Sequence, residues 1–203
     1  MPELEVFSDN VFLIRQLLTP EECADYIAFA EREGFADAPI TTAAGPVMRK
    51  GVRNNERVMV DDTARAAALW ERVLEHFPEY WRHVRAQGVL AGQELEPCGL
   101  NERLRFYRYE PGQRFRLHRD GCYRRPSGEE ESLLTALFYL NEDFEGGATA
   151  IIEPGHGCEI QPEVGDALFF LHYMLHEGQK VEEGTKYVLR SDVMYRAAEH
   201  PQQ

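Results

Sequence analysis

The second half of this chain leaves little room for helix. From residue 104 to 195 it breaks into short apolar or alternating runs, 104–109, 133–140, 148–152, 167–171 and 187–195. Turn-forming residues stand between them: Pro111-Gly112, Asn141-Glu142-Asp143, Gly146-Gly147, Pro154-Gly155 and Gly165-Asp166. Runs of this length and punctuation read as strands. Many of them in succession predict a β-sandwich or jelly roll.

The first half reads differently. Thr19 suits a helix N-cap, Pro20 the first helical position, and Glu22 completes a capping box. Cys23, Ile27 and Ala30 then share a face, and Gly34 suits the stop. A second helix is expected after Asp62, with Leu69, Trp70, Val73, Leu74 and Phe77 as its apolar stripe and Pro78 as its end. Residues 41–55, rich in glycine, small and polar residues, read as a loop. The expected organisation is one mainly β (α+β) domain over 1–203: a helical support layer and loops over 1–100, a β core over 101–196, and a frayed tail.

Net charge is -13, which works against nucleic acid and anionic membranes as partners. No apolar run is long enough for a transmembrane helix, and the first residues show no basic-then-apolar leader. Cys23, Cys98, Cys122 and Cys158 are scattered without metal-binding spacing, so reduced thiols in the cytoplasm are expected. The charge is uneven: eight arginines, Arg103, Arg105, Arg108, Arg114, Arg116, Arg119, Arg124 and Arg125, crowd one segment. They form either solvated strand faces balanced by Glu129, Glu130 and Glu131, or a positive mouth that attracts a dianion.

Inside that segment lies His118-Arg119-Asp120, followed downstream by His176 and Lys186. In extended chain alternate side chains share a face, so His118 and Asp120 can address one ion. A third donor must come from another strand, and His176 can deliver it. Two imidazoles and a carboxylate are the set that holds non-haem Fe(II) on one face and leaves the other open. The last run adds a second signal. Tyr187, Leu189, Val193 and Tyr195 share one face, while Lys186, Val188, Arg190, Asp192 and Met194 share the other. A charged inner face needs counter-charge, because buried charge is costly unless paired. A bound dicarboxylate would supply it.

Six motif pieces in order resemble the prolyl 4-hydroxylase branch of the Fe(II)/2-oxoglutarate dioxygenases. They are Tyr109, Gly112, Phe115, His118 and Asp120; Phe138 to Asn141; Glu145 to Thr149; Pro162, Gly165 and Asp166 with the apolar residues after them; His176 with Gly178; and Val181, Gly184 and Lys186. The resemblance covers about the C-terminal half. It implies a double-stranded β-helix (jelly roll) with N-terminal supporting helices, and Fe(II), 2-oxoglutarate and O2 as cofactors with ascorbate in support. It assigns His118, Asp120 and His176 to iron, and Lys186 to the distal carboxylate of 2-oxoglutarate. Tyr139 matches a tyrosine on that same carboxylate, Tyr109 one beside the cosubstrate, and Thr149 is expected in the same pocket. The implied reaction is hydroxylation of a C–H bond with decarboxylation of 2-oxoglutarate to succinate, on a peptide or small-molecule substrate.

Rivals remain at two positions. His172 also follows the apolar run and competes with His176, but only His176 has Gly178, Gly184 and Lys186 at the motif spacing downstream. Arg190 shares a face with Lys186 and is a candidate for the cosubstrate or the substrate. His76, His83, His156 and His200 carry no motif and read as surface or satisfied histidines. Residues 41–55 and 121–131 are candidate lids, where Arg124 and Arg125 would meet an anionic substrate or solvent. A catalytically silent barrel that only binds, and a cupin with another metal reaction, are the competing classes. Cupins place a close His pair on one strand, which His118-x-Asp120 does not match.

Overall fold

The structure is a computed structural model that describes residues 1–42, 45–82, 84–85, 92–153, 155 and 157–198. His83, His156, His200 and the end of the tail lie outside the described residues. The chain runs through β1 (Glu3–Ser8), β2 (Val11–Arg15), α1 (Pro20–Glu33), β3 (Ala36–Asp37), β4 (Ile40–Thr42), β5 (Gly45–Val47), β6 (Glu56–Asp61) and α2 (Thr63–His76). After a 3-10 turn at Glu79–Trp81 come β7 (Val84–Arg85), β8 (Glu94–Leu100), β9 (Arg103–Tyr109), β10 (Phe115–His118) and β11 (Glu130–Tyr139). The last elements are β12 (Phe144–Gly146), β13 (Thr149–Ile152), β14 (Cys158–Ile160), β15 (Ala167–Leu171), β16 (Leu175–Gly178), β17 (Val181–Gly184) and β18 (Lys186–Ala197).

Among the described residues ten strands form the large sheet, with the path β1-β2-β15-β11-β18-β9-β6-β3 and with β7 and β8 joined through β18. A smaller sheet, β10-β16-β13-β14, faces it. Every pairing is antiparallel, so side chains alternate between two faces along each strand. In β15, Ala167 and Phe169 point outward while Leu168 and Phe170 point inward. In β2, Phe12 and Ile14 face out and Val11 and Leu13 face in. Two cores result. One lies between the large sheet and the helices, with Phe12, Cys23, Leu69, Val73, Phe106, Phe169 and Tyr195. The other lies between the sheets, with Tyr107, Tyr109, Tyr139, Ile151, Phe170 and Val188. This is the jelly-roll architecture expected for the second half.

Both helices start where their sequence signals place them. The Thr19 side chain accepts from the Glu22 N–H, and the Glu22 carboxylate accepts from the Thr19 N–H. The α1 chain exits through Gly34 at φ 85°, a left-handed value that suits glycine. Asp62 caps α2 by accepting from the Arg65 N–H at 2.9 Å. Pro78 follows the helix by two residues, and Phe77 packs on Phe12 and Phe169. No helix is long and apolar enough to cross a membrane among the described residues.

Two expectations need correction. The first hundred residues are more than helices and loops: they supply β1, β2, β3, β6, β7 and β8 to the large sheet. Their periodicity is hard to read because β1 and β6 are exposed on one side and carry charge, as in Glu3-Leu4-Glu5 and Glu56-Arg57. Part of the 41–55 segment is also ordered, since β4 pairs with β5. Beyond that hairpin, Arg53 bridges to Phe115 at the edge of the smaller sheet.

The α1 cap offers a local test of this packing. Thr19→Ala removes the acceptor for the Glu22 N–H and is expected to cost about 1 kcal/mol. For a domain of this size, thermal unfolding should show Tm lower by about 2–4 °C.

Candidate active site

β10 and β16 are neighbours in the smaller sheet, and their register sets His118 directly opposite His176. That pairing brings donors 58 residues apart in the chain to one point, with Asp120 just beyond the end of β10. The ligand atoms of His118, Asp120 and His176 all lie within 4.8 Å of one another. The His118 Nε2 is 3.8 Å from Asp120 Oδ1, and the His176 Nε2 is 3.5 Å from Asp120 Oδ2.

The ring orientations are fixed from behind. The Nδ1 of His118 meets the Arg116 carbonyl at 2.8 Å, and the Nδ1 of His176 meets the Met174 carbonyl at 2.9 Å. A carbonyl only accepts, so both Nδ1 atoms carry the proton and both Nε2 lone pairs face Asp120. Phe115 stacks on His118 with ring centroids 3.5 Å apart, and Phe170 lies against His176. Burial, then the neighbouring His176, brings the His118 imidazole down to about 3. Burial likewise lowers His176. Burial opposes the charge on Asp120, yet Arg190 and the two imidazoles outweigh it and hold the carboxyl below its ordinary range. Near neutral pH the site therefore presents two neutral imidazoles and one carboxylate. That is the protonation state a divalent metal requires of its ligands, and the donor set fits Fe(II).

Asp120 is held by three groups. The Thr135 hydroxyl donates to Oδ2 at 2.6 Å, Arg190 lies 3.2 Å from Oδ1, and the Asp120 N–H donates to the His172 carbonyl at 2.9 Å. Because Thr135 spends its one proton on Asp120, the His172 Nδ1–H donates to it at 2.9 Å. The Ser132 Oγ accepts from the Tyr123 N–H, and its own proton goes to the His172 Nε2 at 2.8 Å. Both ring nitrogens of His172 are thus engaged. This separates the rivals: His176 stands in the donor cluster, and His172 stands behind Asp120 as part of its support. Thr135 carried no motif. Alternation along β11 could have found it, since Thr135, Leu137 and Tyr139 share one face.

A cleft leads inward from these donors. All eight residues singled out in the sequence line it: His118, Asp120 and His176 together with Tyr109, Tyr139, Thr149, Lys186 and Arg190. Tyr107, Phe115, Leu137, Gly178 and Val188 complete the wall. Lys186 is 3% exposed. Its Nζ donates to the Gly147 carbonyl at 2.6 Å and lies 5.3 Å from the Tyr139 ring centre and 5.7 Å from that of Tyr109. No carboxylate pairs with it among the described residues. Burial pushes the ammonium down to about 7. Tyr139, fully buried, donates its hydroxyl to Thr149 at 2.8 Å. A cation and a hydroxyl pair at the end of a cleft, without a counter-ion, fit a dicarboxylate such as 2-oxoglutarate.

Gly147 is required at this end. Its φ is +64°, and a Cβ there would come within 3.0 Å of the Phe144 ring, 3.1 Å of Val181 and 3.3 Å of the Lys186 stem. The Gly146-Gly147 turn lets Lys186 pass close to the backbone it bonds.

The arginine-rich segment proves mostly neutralised. Arg103 pairs with Asp61, Arg108 with Glu56 and Glu31, Arg124 with Glu131, and Arg125 with Glu102 and Glu130. Arg105 pairs with Asp192, which also holds Arg190 at 3.0 Å. Arg124 and Arg125 are therefore committed to internal partners.

Comparison with known proteins agrees with this geometry. Residues 104–191 match the 2OG-Fe(II) oxygenase superfamily. The chain is 24% identical over 195 residues to a candidate prolyl 4-hydroxylase of Acanthamoeba polyphaga mimivirus, spanning 87% of this chain and 71% of that protein. Among solved structures it is similar to the viral collagen prolyl hydroxylase of Paramecium bursaria Chlorella virus-1 in its 2OG complex, with TM-score 0.59 and 19% identity over 94% of this chain and 98% of that one. A Trichoplax adhaerens prolyl hydroxylase, solved with a peptide fragment of the hypoxia inducible factor oxygen degradation domain, gives TM-score 0.64 and 15% identity over 92% and 84%. At these identities the structural likeness speaks for the fold.

Two outcomes follow from the site. Thr135→Val removes the donor on Asp120 Oδ2 while keeping the side-chain shape, and should weaken metal binding about 10–100-fold. Titration with Co(II), read by its visible absorption, measures this. For Lys186, the folded pKa lies below the unfolded value, so between about 7 and the unfolded value of 10.5 the unfolded chain binds more protons. Stability then rises with pH across that window, and the full burial penalty is present below it. Lys186→Met should raise the Tm of the ligand-free protein at pH 7, by a margin that shrinks towards pH 10, and should abolish the Tm increase that 2-oxoglutarate gives the wild type. Unchanged Tm differences across that pH range would refute the assignment of burial cost.

Proposed function

We propose that the chain works as a prolyl 4-hydroxylase-like 2OG-Fe(II) oxygenase, the superfamily that residues 104–191 match, and that its residues divide the work as follows. His118, Asp120 and His176 hold the iron. Lys186 anchors the distal carboxylate of 2-oxoglutarate, with Tyr139, Thr149 and Tyr109 forming the walls around it. Arg190 orients Asp120 and stands ready for the near end of the cosubstrate. The observation that carries this division is the uncompensated Lys186 ammonium, buried at one end of a cleft whose other end carries the three donors.

Bound iron with 2-oxoglutarate and O2 supplies oxidative decarboxylation to succinate and CO2, coupled to insertion of one oxygen atom into a substrate C–H bond. The protein's part is positional. The Arg116 and Met174 carbonyls keep both Nε2 lone pairs inward. Thr135 and Arg190 set the Asp120 oxygens before any metal arrives. Phe115, Leu137 and Val188 line the walls with apolar surface and limit water around the reacting atoms, and Phe170 packs against the His176 ring. Three protein donors leave room for a cosubstrate that binds through two atoms and for O2.

The substrate is a molecule bearing a C–H bond presented at the mouth. Peptide substrates are supported by the Trichoplax relative, which was solved with a peptide fragment. With 2-oxoglutarate in the inner cleft, the substrate would sit at its mouth.

Purified protein supplied with Fe(II), ascorbate and 2-oxoglutarate should release succinate slowly even without substrate. His118→Ala and Asp120→Ala should abolish that release, by at least about 100-fold, and Lys186→Ala should chiefly raise the 2-oxoglutarate concentration required. Succinate release that survives Asp120→Ala would sink the ligand assignment. A normal 2-oxoglutarate requirement in Lys186→Ala, with a raised one in Arg190→Ala, would move the anchor to Arg190.

A further inference from the structure

Four guanidinium groups converge on one buried phenol beside the donors. Tyr107 on β9 points into the barrel, and Arg57 on β6 is its register partner. Arg105 precedes Tyr107 by two residues and stands opposite Arg190 on β18. Opposed residues of an antiparallel pair point to one face, as do alternate residues of a strand. Arg57, Arg105 and Arg190 therefore share the inward face of Tyr107. Arg53 closes over it, with its Cζ 4.6 Å from the Tyr107 ring centre and 4.5 Å from that of Phe115.

The acids available there are fewer than the cations. Asp192 serves both Arg105 and Arg190, and Asp120 serves Arg190. Arg53, 4% exposed, bonds only the neutral Asn55 amide, and its Nη2 is buried without a partner. Arg57, half-buried, has no carboxylate partner among the described residues. The field of this cluster is visible on Tyr107 itself. Burial should raise the phenol, yet Arg190, Arg53 and Arg105 outweigh burial and bring it below its ordinary range. Iron does not correct the excess, because it adds two positive charges against the single carboxylate of Asp120. The dianionic cosubstrate is answered by Lys186 and the metal.

We propose that this cluster is the substrate subsite of the oxygenase, and that the molecule hydroxylated carries an oxyanion, a carboxylate or a phosphate monoester, which docks against Arg57 beside Arg105 and beneath Arg53. A guanidinium matches either group through two parallel hydrogen bonds. A neutral peptide segment in the same place would leave the arginines uncompensated. The subsite rests on the oxygenase reading above and narrows its substrate from any C–H bearer to an anionic one.

Binding separates the two ideas. Protein loaded with Zn(II) and 2-oxoglutarate, which cannot turn over, is titrated by ligand-observed NMR with matched probes: N-acetylproline and N-acetylprolinamide, N-acetylaspartate and N-acetylasparagine, O-phosphoserine and serine. The anionic member of at least one pair should bind tenfold or more tightly than its neutral twin, and Arg57→Gln should reduce that ratio below about threefold. Preference within the phosphoserine pair alone assigns phosphate, and preference within the carboxylate pairs assigns carboxylate. Equal binding of twins, no binding by any anionic probe, or an undiminished ratio in Arg57→Gln would overturn the proposal. The wild-type comparison stands even if the variant folds poorly. The oxygenase reading fails on a different result: no succinate from 2-oxoglutarate in the iron-loaded wild type.

Discussion

A lysine ammonium buried at the closed end of the barrel, with one carbonyl for a partner, is the interaction around which the site is arranged. Burial of an unpaired cation is among the costliest placements a fold can make. Here it is made tolerable by the Gly147 carbonyl and by the aromatic faces of Tyr109 and Tyr139. Each of these depends on something further away. The carbonyl is reachable only because Gly146-Gly147 turns without side chains, and the tyrosines are held by the inner core of the two sheets. A dicarboxylate that supplies the missing charge relieves a cost the fold already carries, which links affinity for the cosubstrate to stability of the protein.

The other end of the cleft solves the opposite problem. There a carboxylate must stay charged and correctly turned without its metal. Arg190 and Thr135 serve the two oxygens of Asp120 separately, while Asp192 offsets the remaining charge of Arg190. Behind Thr135, His172 and Ser132 complete a chain of hydrogen bonds in which every proton has one consistent position. The fully satisfied chain fixes Thr135, and through it the carboxylate. Ligand geometry thus originates on β11, a strand that contributes no ligand.

What the sequence disclosed and what it hid follow from periodicity. Strand alternation in β18 separates Lys186 and Arg190 from Tyr187 and Leu189 because one face is apolar apart from Ser191 and the other is mixed. The spacing around His176 distinguished it from His172, and the observed hydrogen bonds explain why both are buried histidines with different work. The N-terminal strands are hard to read because in an edge strand such as β1 the apolar Leu4 and Val6 are exposed and alternate with the acids Glu3 and Glu5. The arginine segment was ambiguous for another reason. Its partners, Glu31, Glu56, Asp61 and Glu102, lie up to 77 residues away in sequence, so charge balance became visible only when the strands were paired.

That charge balance bears on how a common barrel acquires a particular substrate. Arg103, Arg108 and Arg125 lie towards the outside and are matched by acids. The inward guanidiniums of Arg53 and Arg57 are not matched by acids among the described residues, although carboxylates are abundant in a chain of net charge -13. An acidic protein that leaves two cations unpaired beside its metal donors maintains a local field opposite to its global one. Such a field attracts anions at short range while the rest of the surface repels them, so an anionic molecule is favoured only once it is at the mouth. The donors and Lys186 account for the chemistry. The inner arginines act on the molecule to which that chemistry is applied, and Arg57 brings to them a strand that lies outside the segment matching the superfamily.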